Sequence, residues 1–322
     1  MTARRGERAW RWFTITTQEK RVIRVCFSSS RCCAGRNNTR FFTSRLRNQP
    51  KVRSAHARIK VMRSIAQTEY AHMKDERNGR LVILSGPSCI GKSPLAKALA
   101  KFYPELRRTL QPLVLYNSRD PRPGEVDGVD YHFRSHEQIE DLKAKNHFVV
   151  MDVRGDLQAL DLQELAALLA KGDVFFEGNP FVGRALQTSP ALAEVNRLSV
   201  FMSPLSRDEI LFLKAKPSVS LPDLIADVMR RKLLRRTRRQ KGELSLKDLE
   251  NIEKRAGSAY SELQEAHYFQ HVIPNHDGED SENWDAFYYP LGAARLALLA
   301  FVSLLAGETS SRVEHWEEDL IT

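Results

Sequence analysis

The sequence predicts an α/β fold built on a parallel sheet, and three observations carry that prediction. An unbroken apolar run feeds a glycine-bounded loop, a helical pattern follows the loop at once, and further short apolar runs alternate with helical patterns downstream. The first two lie in residues 81–99, LVILSGPSCIGKSPLAKAL. Leu81, Val82, Ile83 and Leu84 read as a strand buried on both faces. Leu95, Ala98 and Leu99 then share one helical face.

The loop between them, Gly86, Pro87, Ser88, Cys89, Ile90, Gly91, Lys92 and Ser93, matches the phosphate-binding pattern G-x-x-x-x-G-K-S. Gly86 and Gly91 let the backbone curl so that successive N–H groups point inward, and the helix N-terminus adds partial positive charge. Lys92 is spaced to reach the terminal phosphates and the Ser93 hydroxyl to hold Mg²⁺, so ATP and Mg²⁺ are the expected ligands. Pro94 removes one N–H that would face a phosphate; in a first helical turn it costs no intrahelical bond.

Charge is unevenly distributed. Of 50 Lys+Arg and 40 Asp+Glu, residues 1–80 hold 20 and 5, so the net charge of +10 comes from the first quarter of the chain. The remainder is mildly acidic, and net charge alone does not make nucleic acid the expected partner. Residues 1–75 form a basic, Arg- and Ser-rich leader without hydrophobic periodicity, in which no regular structure is expected. Three readings of it stand: an organelle transit peptide, a basic tail for nucleic acid, or upstream sequence preceding a start at Met62 or Met73. Cys26, Cys32, Cys33 and Cys89 show no ligand spacing, which excludes a zinc site and a disulfide framework. Cys89 reads as a small residue in a tight loop. No apolar run is long enough for a membrane span, and a cytoplasmic protein is expected, or an organellar one if the leader is a transit peptide.

Downstream, Tyr103 and Pro104 break the helix, and Leu113, Val114 and Leu115 read as a second short strand. A polar loop follows, stiffened by Pro121 and Pro123, with Arg119 and Arg122 three apart. Two guanidinium groups on a stiff loop make an anion clamp, to which Tyr131 adds a hydroxyl. Residues 85–93 and residues 119–133, RDPRPGEVDGVDYHF, together resemble the guanylate kinase family, and weaker similarity runs to about residue 289. The resemblance implies that Arg119, Arg122 and Tyr131 hold the phosphate of an acceptor GMP, with Glu125 in the same loop.

Carried on without gaps, the resemblance places the family's guanine-reading Glu at Val150, a phosphate-contacting Tyr at Ala159 and a Ser at Leu115. Valine cannot accept hydrogen bonds from a guanine edge. Asp152, Arg154 and Asp156 alternate, and on one strand face they would present a charged surface to the acceptor; a solvated edge strand is the competing reading.

Residues 161–170 read as a helix and residues 173–179 as a buried strand ending in Glu177, a candidate second Mg²⁺ anchor. Residues 197–202 form a further strand. Residues 230–241 are strongly basic and helical; by resemblance they belong to a lid over about 230–255, with Arg238, Arg239 and Arg255 as candidates to stabilise the transferring phosphoryl. Asn275 ends a last strand and by resemblance lies near the donor adenine. Residues 291–305 form an apolar helix, and the tail over 307–322 is expected to be loose.

The expected architecture is therefore a three-layer P-loop nucleoside-monophosphate-kinase-like domain over residues 76–306, with an acceptor insertion at about 115–165 and the lid. The expected activity is ATP- and Mg²⁺-dependent transfer to GMP. Another phosphorylated acceptor, or a non-catalytic module binding nucleotide or phosphopeptide, are the alternatives. Nothing in the sequence fixes an oligomeric state.

Overall fold

The structure, a computed structural model, describes residues 13–16, 22–25, 79–121 and 124–321. The chain divides into two compact units, residues 1–57 and 58–322. In the first, β1 (Phe13–Thr16) and β2 (Val22–Val25) pair antiparallel, with Phe13 opposite Val25. Both segments are rich in β-branched residues, which favour extended backbone; here regular structure replaces the irregular chain expected. The rest of the leader, and with it the choice among its three readings, lies outside the described residues.

The second unit is organised around β3 (Leu81–Ser85), whose five residues are all buried. Its neighbours are all parallel: β4 (Leu110–Pro112), β9 (Asp173–Gly178), β10 (Arg197–Ser203) and β11 (His271–Pro274) complete a sheet in the order β11-β10-β3-β9-β4. Alternation along β3 sends Leu81 and Ile83 to one side and Val82 and Leu84 to the other. The second side is covered by α1 (Lys92–Phe102) and the late apolar helix α10 (Gly292–Leu305), through Leu95, Leu99, Leu298 and Phe301. The first side is covered by α5 (Pro180–Thr188), α7 (Leu221–Lys241) and the segment around Phe269. Each fully buried Leu or Phe contributes about 1.5–3 kcal/mol, so these two apolar layers hold the sheet.

After α1 the chain restarts helically at Pro104, as α2 (Pro104–Arg108), because proline suits a first helical turn. The strand expected at Leu113–Leu115 is displaced. Pairing with β9 covers Leu110–Pro112 and ends with Leu113 N donating to Phe175 O at 2.9 Å, and the chain then leaves for a second sheet. That sheet has the order β6-β5-β8-β7. It comprises β5 (Tyr116–Asn117), β6 (His132–Phe133), β7 (Phe148–Val153) and β8 (Asp156–Asp161), with α3 (His136–Glu140) packed beneath through Ile139. Asp161 then caps α4 (Leu162–Leu169) by accepting from Gln163 N and Glu164 N.

Beyond β10 lie α6 (Arg207–Lys214), the long α7, α8 (Leu246–Gly257) and α9 (Ala259–Gln264). Four-residue spacing of Leu221, Ile225, Met229, Leu233 and Thr237 roots α7 in the core along its whole length. The tail is not loose. Val272 and Glu314 exchange backbone hydrogen bonds at 2.8 Å in both directions, and Trp316, Leu320 and Ile321 are buried in the main core. Polar contacts add to these anchors, with Arg207 pairing with Glu317 and Lys214 donating to Leu320 O at 3.1 Å.

Candidate active site

The phosphate loop leaves β3 through Gly86, at φ 146, and enters α1 through Gly91, at φ 104. A Cβ on Gly86 would lie 2.5 Å from Met202 O, and one on Gly91 2.7 Å from Asn275 Nδ2, so no larger residue fits either corner. Cys89 also adopts positive φ, 69, with its thiol turned inward. Burial pushes that thiol up to about 12, and the nearby Glu279 carboxylate adds to the shift. It is a filler, not a reactive group. Ile90 is likewise buried; Pro87 and Ser88 complete the turn, with Ser88 half-buried.

Lys92 is buried, and its ammonium donates to Gly86 O at 2.8 Å and Pro87 O at 2.9 Å. Burial lowers its pKa, opposed by Glu279 and Glu177. These carbonyls satisfy the ammonium at the mouth of the loop, where phosphate oxygens are stronger acceptors. Across the mouth, Ser93 Oγ donates to Glu177 Oε1 at 2.6 Å. Glu177 sits on β9, directly beside β3, where parallel pairing sets it opposite Leu84. Burial raises its pKa, against the lowering effect of the Ser93 hydroxyl and of Lys92. A hydroxyl and a carboxylate beside a phosphate cradle form the oxygen donor set that Mg²⁺ takes, its remaining positions going to water and phosphate. Among the described residues no group of three or more His, Cys, Asp or Glu could enclose a metal by itself.

Asn275, expected near the donor adenine, is fully buried. Its Nδ2 donates to Ile90 O at 2.7 Å and Asp277 O at 2.6 Å, so it braces the phosphate loop from behind. The same stretch carries Glu279, whose N–H donates to Cys89 O. The basic helix α7 turns one side toward this acidic stretch: Arg236 Nη1 meets Glu279 at 2.8 Å, and Arg235 and Lys232 meet Asp280 at 3.3 and 3.7 Å. Arg239 lies 3.5 Å from Glu282, both exposed. Arg238 is exposed on the other side of the helix, and Arg255 is half-buried on α8. Through Glu279, α7 thus brings Arg236 toward the phosphate loop, two positions before the expected pair. Helical periodicity could have found it: residues 232, 236 and 239 flank the buried stripe through 229, 233 and 237.

On the acceptor loop, Arg119 makes a two-pronged ion pair with Glu125, at 2.6 and 2.7 Å, and its guanidinium lies 5.1 Å from the Tyr131 ring and 5.5 Å from that of Phe133. Arg122 lies outside the described residues. The Arg119 cation is held between a carboxylate and two aromatic faces, ready to share its donors with an anion.

The charged strand face expected from Asp152, Arg154 and Asp156 does not form. Arg154 and Gly155, at φ 61 and 87, are the two-residue turn between β7 and β8, a primed hairpin turn. Asp152 therefore pairs with Leu157 and Asp156 with Val153, on opposite faces. Asp152 is exposed, its carboxylate accepting from Gly155 N at 3.2 Å. Arg154 leaves the sheet and pairs with Glu262.

Register also decides which residues share a face of this sheet. Val150 pairs with Ala159, and both pack with Ile139 and Leu157 under α3, on the face away from the main core. Neither position can read a base. The opposite face carries the row Phe133, Asn117, Gln158 and Met151, one residue from each strand. Asn117 and Gln158 are both buried, directly opposite one another, two residues from Arg119. Sequence reasoning missed this row, because a slip of one residue inverts the faces of a strand.

A guanylate kinase family model matches residues 78–171, from β3 through the phosphate loop and acceptor sheet to the end of α4. Guanylate kinase of Rhodococcus jostii is 32% identical over 205 residues, spanning 62% of this chain and 82% of that protein. The chain belongs to the guanylate kinase family. The relative from a Ruegeria species, also named guanylate kinase, is 29% identical over 252 residues, 78% of this chain and 99% of its own length. Among solved structures, guanylate kinase from Anaplasma phagocytophilum aligns over 74% of this chain and 91% of its own, at 16% identity and a TM-score of 0.43. Within the family frame this chain keeps the phosphate loop, and the row Phe133, Asn117, Gln158 and Met151 carries two carboxamides and no carboxylate.

Proposed function

We propose that the chain catalyses transfer of the γ-phosphoryl group of ATP to the phosphate of GMP, giving ADP and GDP. The observation that carries this reading is the Ser93–Glu177 contact of 2.6 Å across the mouth of an intact phosphate loop, in a chain of this family. In the reaction a bond forms between an acceptor phosphate oxygen and the γ-phosphorus as the bond from that phosphorus to the ADP oxygen breaks. The attacking oxygen is already anionic, so no general base is needed, and the protein's work is positioning and charge neutralisation.

The loop N–H groups and Lys92 would bind the donor phosphates, Lys92 exchanging the carbonyls of Gly86 and Pro87 for phosphate oxygens. Ser93 and Glu177 would hold Mg²⁺, which supplies neutralisation of the phosphate charge when bound. Arg119, with Arg122 and Tyr131, would fix the acceptor phosphate, and Glu125 would orient Arg119. Arg236 and Arg239 are better placed than Arg238 to approach the donor, with Arg255 on the neighbouring helix. Asn117 and Gln158 would meet the acceptor base; each carboxamide offers a donor and an acceptor.

That row also favours a second reading, in which the acceptor is another phosphorylated nucleoside. A carboxamide serves the complementary edges of several bases, whereas a carboxylate demands adjacent donors. Among the described residues no helix is long and apolar enough to cross a membrane, and a cytoplasmic site of action is proposed on the family resemblance.

The test is ADP release from ATP and Mg²⁺ with GMP, dGMP, AMP, CMP or UMP, using Lys92→Ala as control. Turnover fastest with GMP and abolished in the control is expected. Faster turnover with another acceptor transfers the assignment to that acceptor, and turnover with none of the five removes the GMP reading and leaves another phosphorylated acceptor or a binding module.

A further inference from the structure

Among the described residues, Arg154 of the acceptor sheet reaches a polar group of the phosphate loop. Arg154 occupies the first position of the β7–β8 turn at φ 61, a conformation that Asn or Gly would adopt with less strain. From that tip its guanidinium leaves the sheet. Nη2 is hydrogen-bonded to Glu262 Oε1 on α9 and lies 3.5 Å from the Ser88 Oγ of the phosphate loop. The buried Lys92 ammonium feels its charge.

Glu262 is built to hold this cation. It is fully buried, and Oε1 also accepts from Ser258 Oγ at 2.8 Å and Asn179 Nδ2 at 3.4 Å. Asn179 is fixed in turn as the cap of α5, accepting from Phe181 N at 2.9 Å, two residues beyond Glu177. Two groups therefore meet this guanidinium, the phosphate loop through Ser88 and α9 through Glu262, and the Glu262 carboxylate is itself braced by Ser258 and by Asn179 at the end of β9. A buried carboxylate left without its cation is costly, which keeps Arg154 at this position.

We propose that Arg154 is a catalytic residue of phosphoryl transfer, supplying positive charge between donor and acceptor phosphates from the acceptor side, with Glu262 as its positioning residue. The inference rests on the kinase reading above. A guanidinium is a planar fork of five donors, so one edge can stay on a carboxylate while another meets phosphate oxygens. Charge that spreads over the equatorial oxygens of the transferring group is stabilised by an arginine held in place beforehand. Because Arg154 is carried by the acceptor hairpin, its arrival would be coupled to the position of the acceptor sheet, whereas Arg238 and Arg239 are exposed on α7.

The experiment measures steady-state transfer from ATP to GMP with wild type, Arg154→Ala, Arg154→Lys, and the double variant Arg154→Ala/Glu262→Gln. The double variant removes the unpaired buried carboxylate, so it folds if the single one does not. Arginines of this kind contribute about 10³–10⁵ in kcat; a fall of at least ~100-fold is expected for both Ala variants. KM for ATP and GMP should change by less than about five-fold, since charge acting in the transition state leaves ground-state binding nearly unchanged. Millimolar guanidinium ion should restore part of the lost kcat, and Arg154→Lys should fall between. A double variant with wild-type kcat, or one that raises KM for GMP alone and ignores guanidinium, makes Arg154 a mere hairpin staple and overturns the proposal. Wild type without transfer to GMP overturns the GMP reading and this inference together; active wild type with an indifferent Arg154 overturns only the inference.

Discussion

Replacing Glu177 by Gln isolates the role of the carboxylate at the mouth of the loop. The substitution keeps the volume of the side chain and an oxygen that can accept from Ser93 Oγ, now 2.6 Å from Oε1, while removing the charge. At a separation of about 4 Å two unit charges attract by about 1 kcal/mol at the dielectric of water. A divalent ion doubles this to about 2 kcal/mol, or roughly 30-fold in affinity, and the partial burial of Glu177 makes that a lower bound. The concentration of Mg²⁺ giving half-maximal turnover should therefore rise by at least ~30-fold. Folding should not suffer. Burial raises the Glu177 pKa, so the folded state holds this proton more tightly than the unfolded chain and its stability declines as pH rises from the unfolded value through the folded one. At neutral pH the Gln variant escapes that cost and should melt no lower than wild type. The raised pKa also means that wild-type Mg²⁺ affinity weakens with acidification earlier than an ordinary carboxylate would dictate, and the variant should lose that limb. A Mg²⁺ titration of turnover across pH reads both. An unchanged Mg²⁺ requirement in a folded variant would refute the assignment of Glu177 to the metal.

Trp316→Ala tests the anchored tail. Its indole is buried and donates to Glu314 at 2.8 Å, so truncation should cost about 3–5 kcal/mol. For a unit of this size that lowers the Tm by roughly 6–20 °C in a thermal melt, and a shift under about 2 °C would mean a loose tail. Cys89, with its thiol pushed up to about 12, should react with iodoacetamide at pH 8 about a thousandfold more slowly than an ordinary thiol. Rapid alkylation there, read by peptide mapping, would show that the loop opens.

How much was legible in the sequence follows from the range of the interactions concerned. The phosphate loop was readable because everything it needs is local. Its apolar run, two glycines, lysine and serine are set by positions within one strand–loop–helix, and β3, Gly86, Gly91, Lys92 and Ser93 stand as spacing predicts. Glu177 was readable as the acid ending a buried strand, because parallel pairing of β9 with β3 aligns strand ends. The acceptor sheet was harder. Its faces depend on register: treating residues 152–156 as one strand put Asp152, Arg154 and Asp156 together, whereas the turn at Arg154 and Gly155 puts the two acids on opposite faces and sends the arginine elsewhere.

What could not be read at all is contact between residues far apart in the chain. Arg154 meets Glu262 across 108 positions, and Arg236 meets Glu279 across 43. In the sequence, Arg154 lies between two aspartates and Glu262 in an ordinary amphipathic helix. The consequence is a division of labour in this chain. On the proposed reading donor binding would reside in a contiguous motif, which a single substitution such as Lys92→Ala would disable. The link between donor and acceptor would on the same reading reside in two pairs, Arg154 with the distant Glu262 and Arg119 with Glu125 of its own loop, each holding a guanidinium on a carboxylate. Such a pair resists replacement of one partner alone, which would leave a buried charge uncompensated. Paired substitutions of these arginines and acids, rather than single ones, are therefore the informative perturbation of the acceptor side.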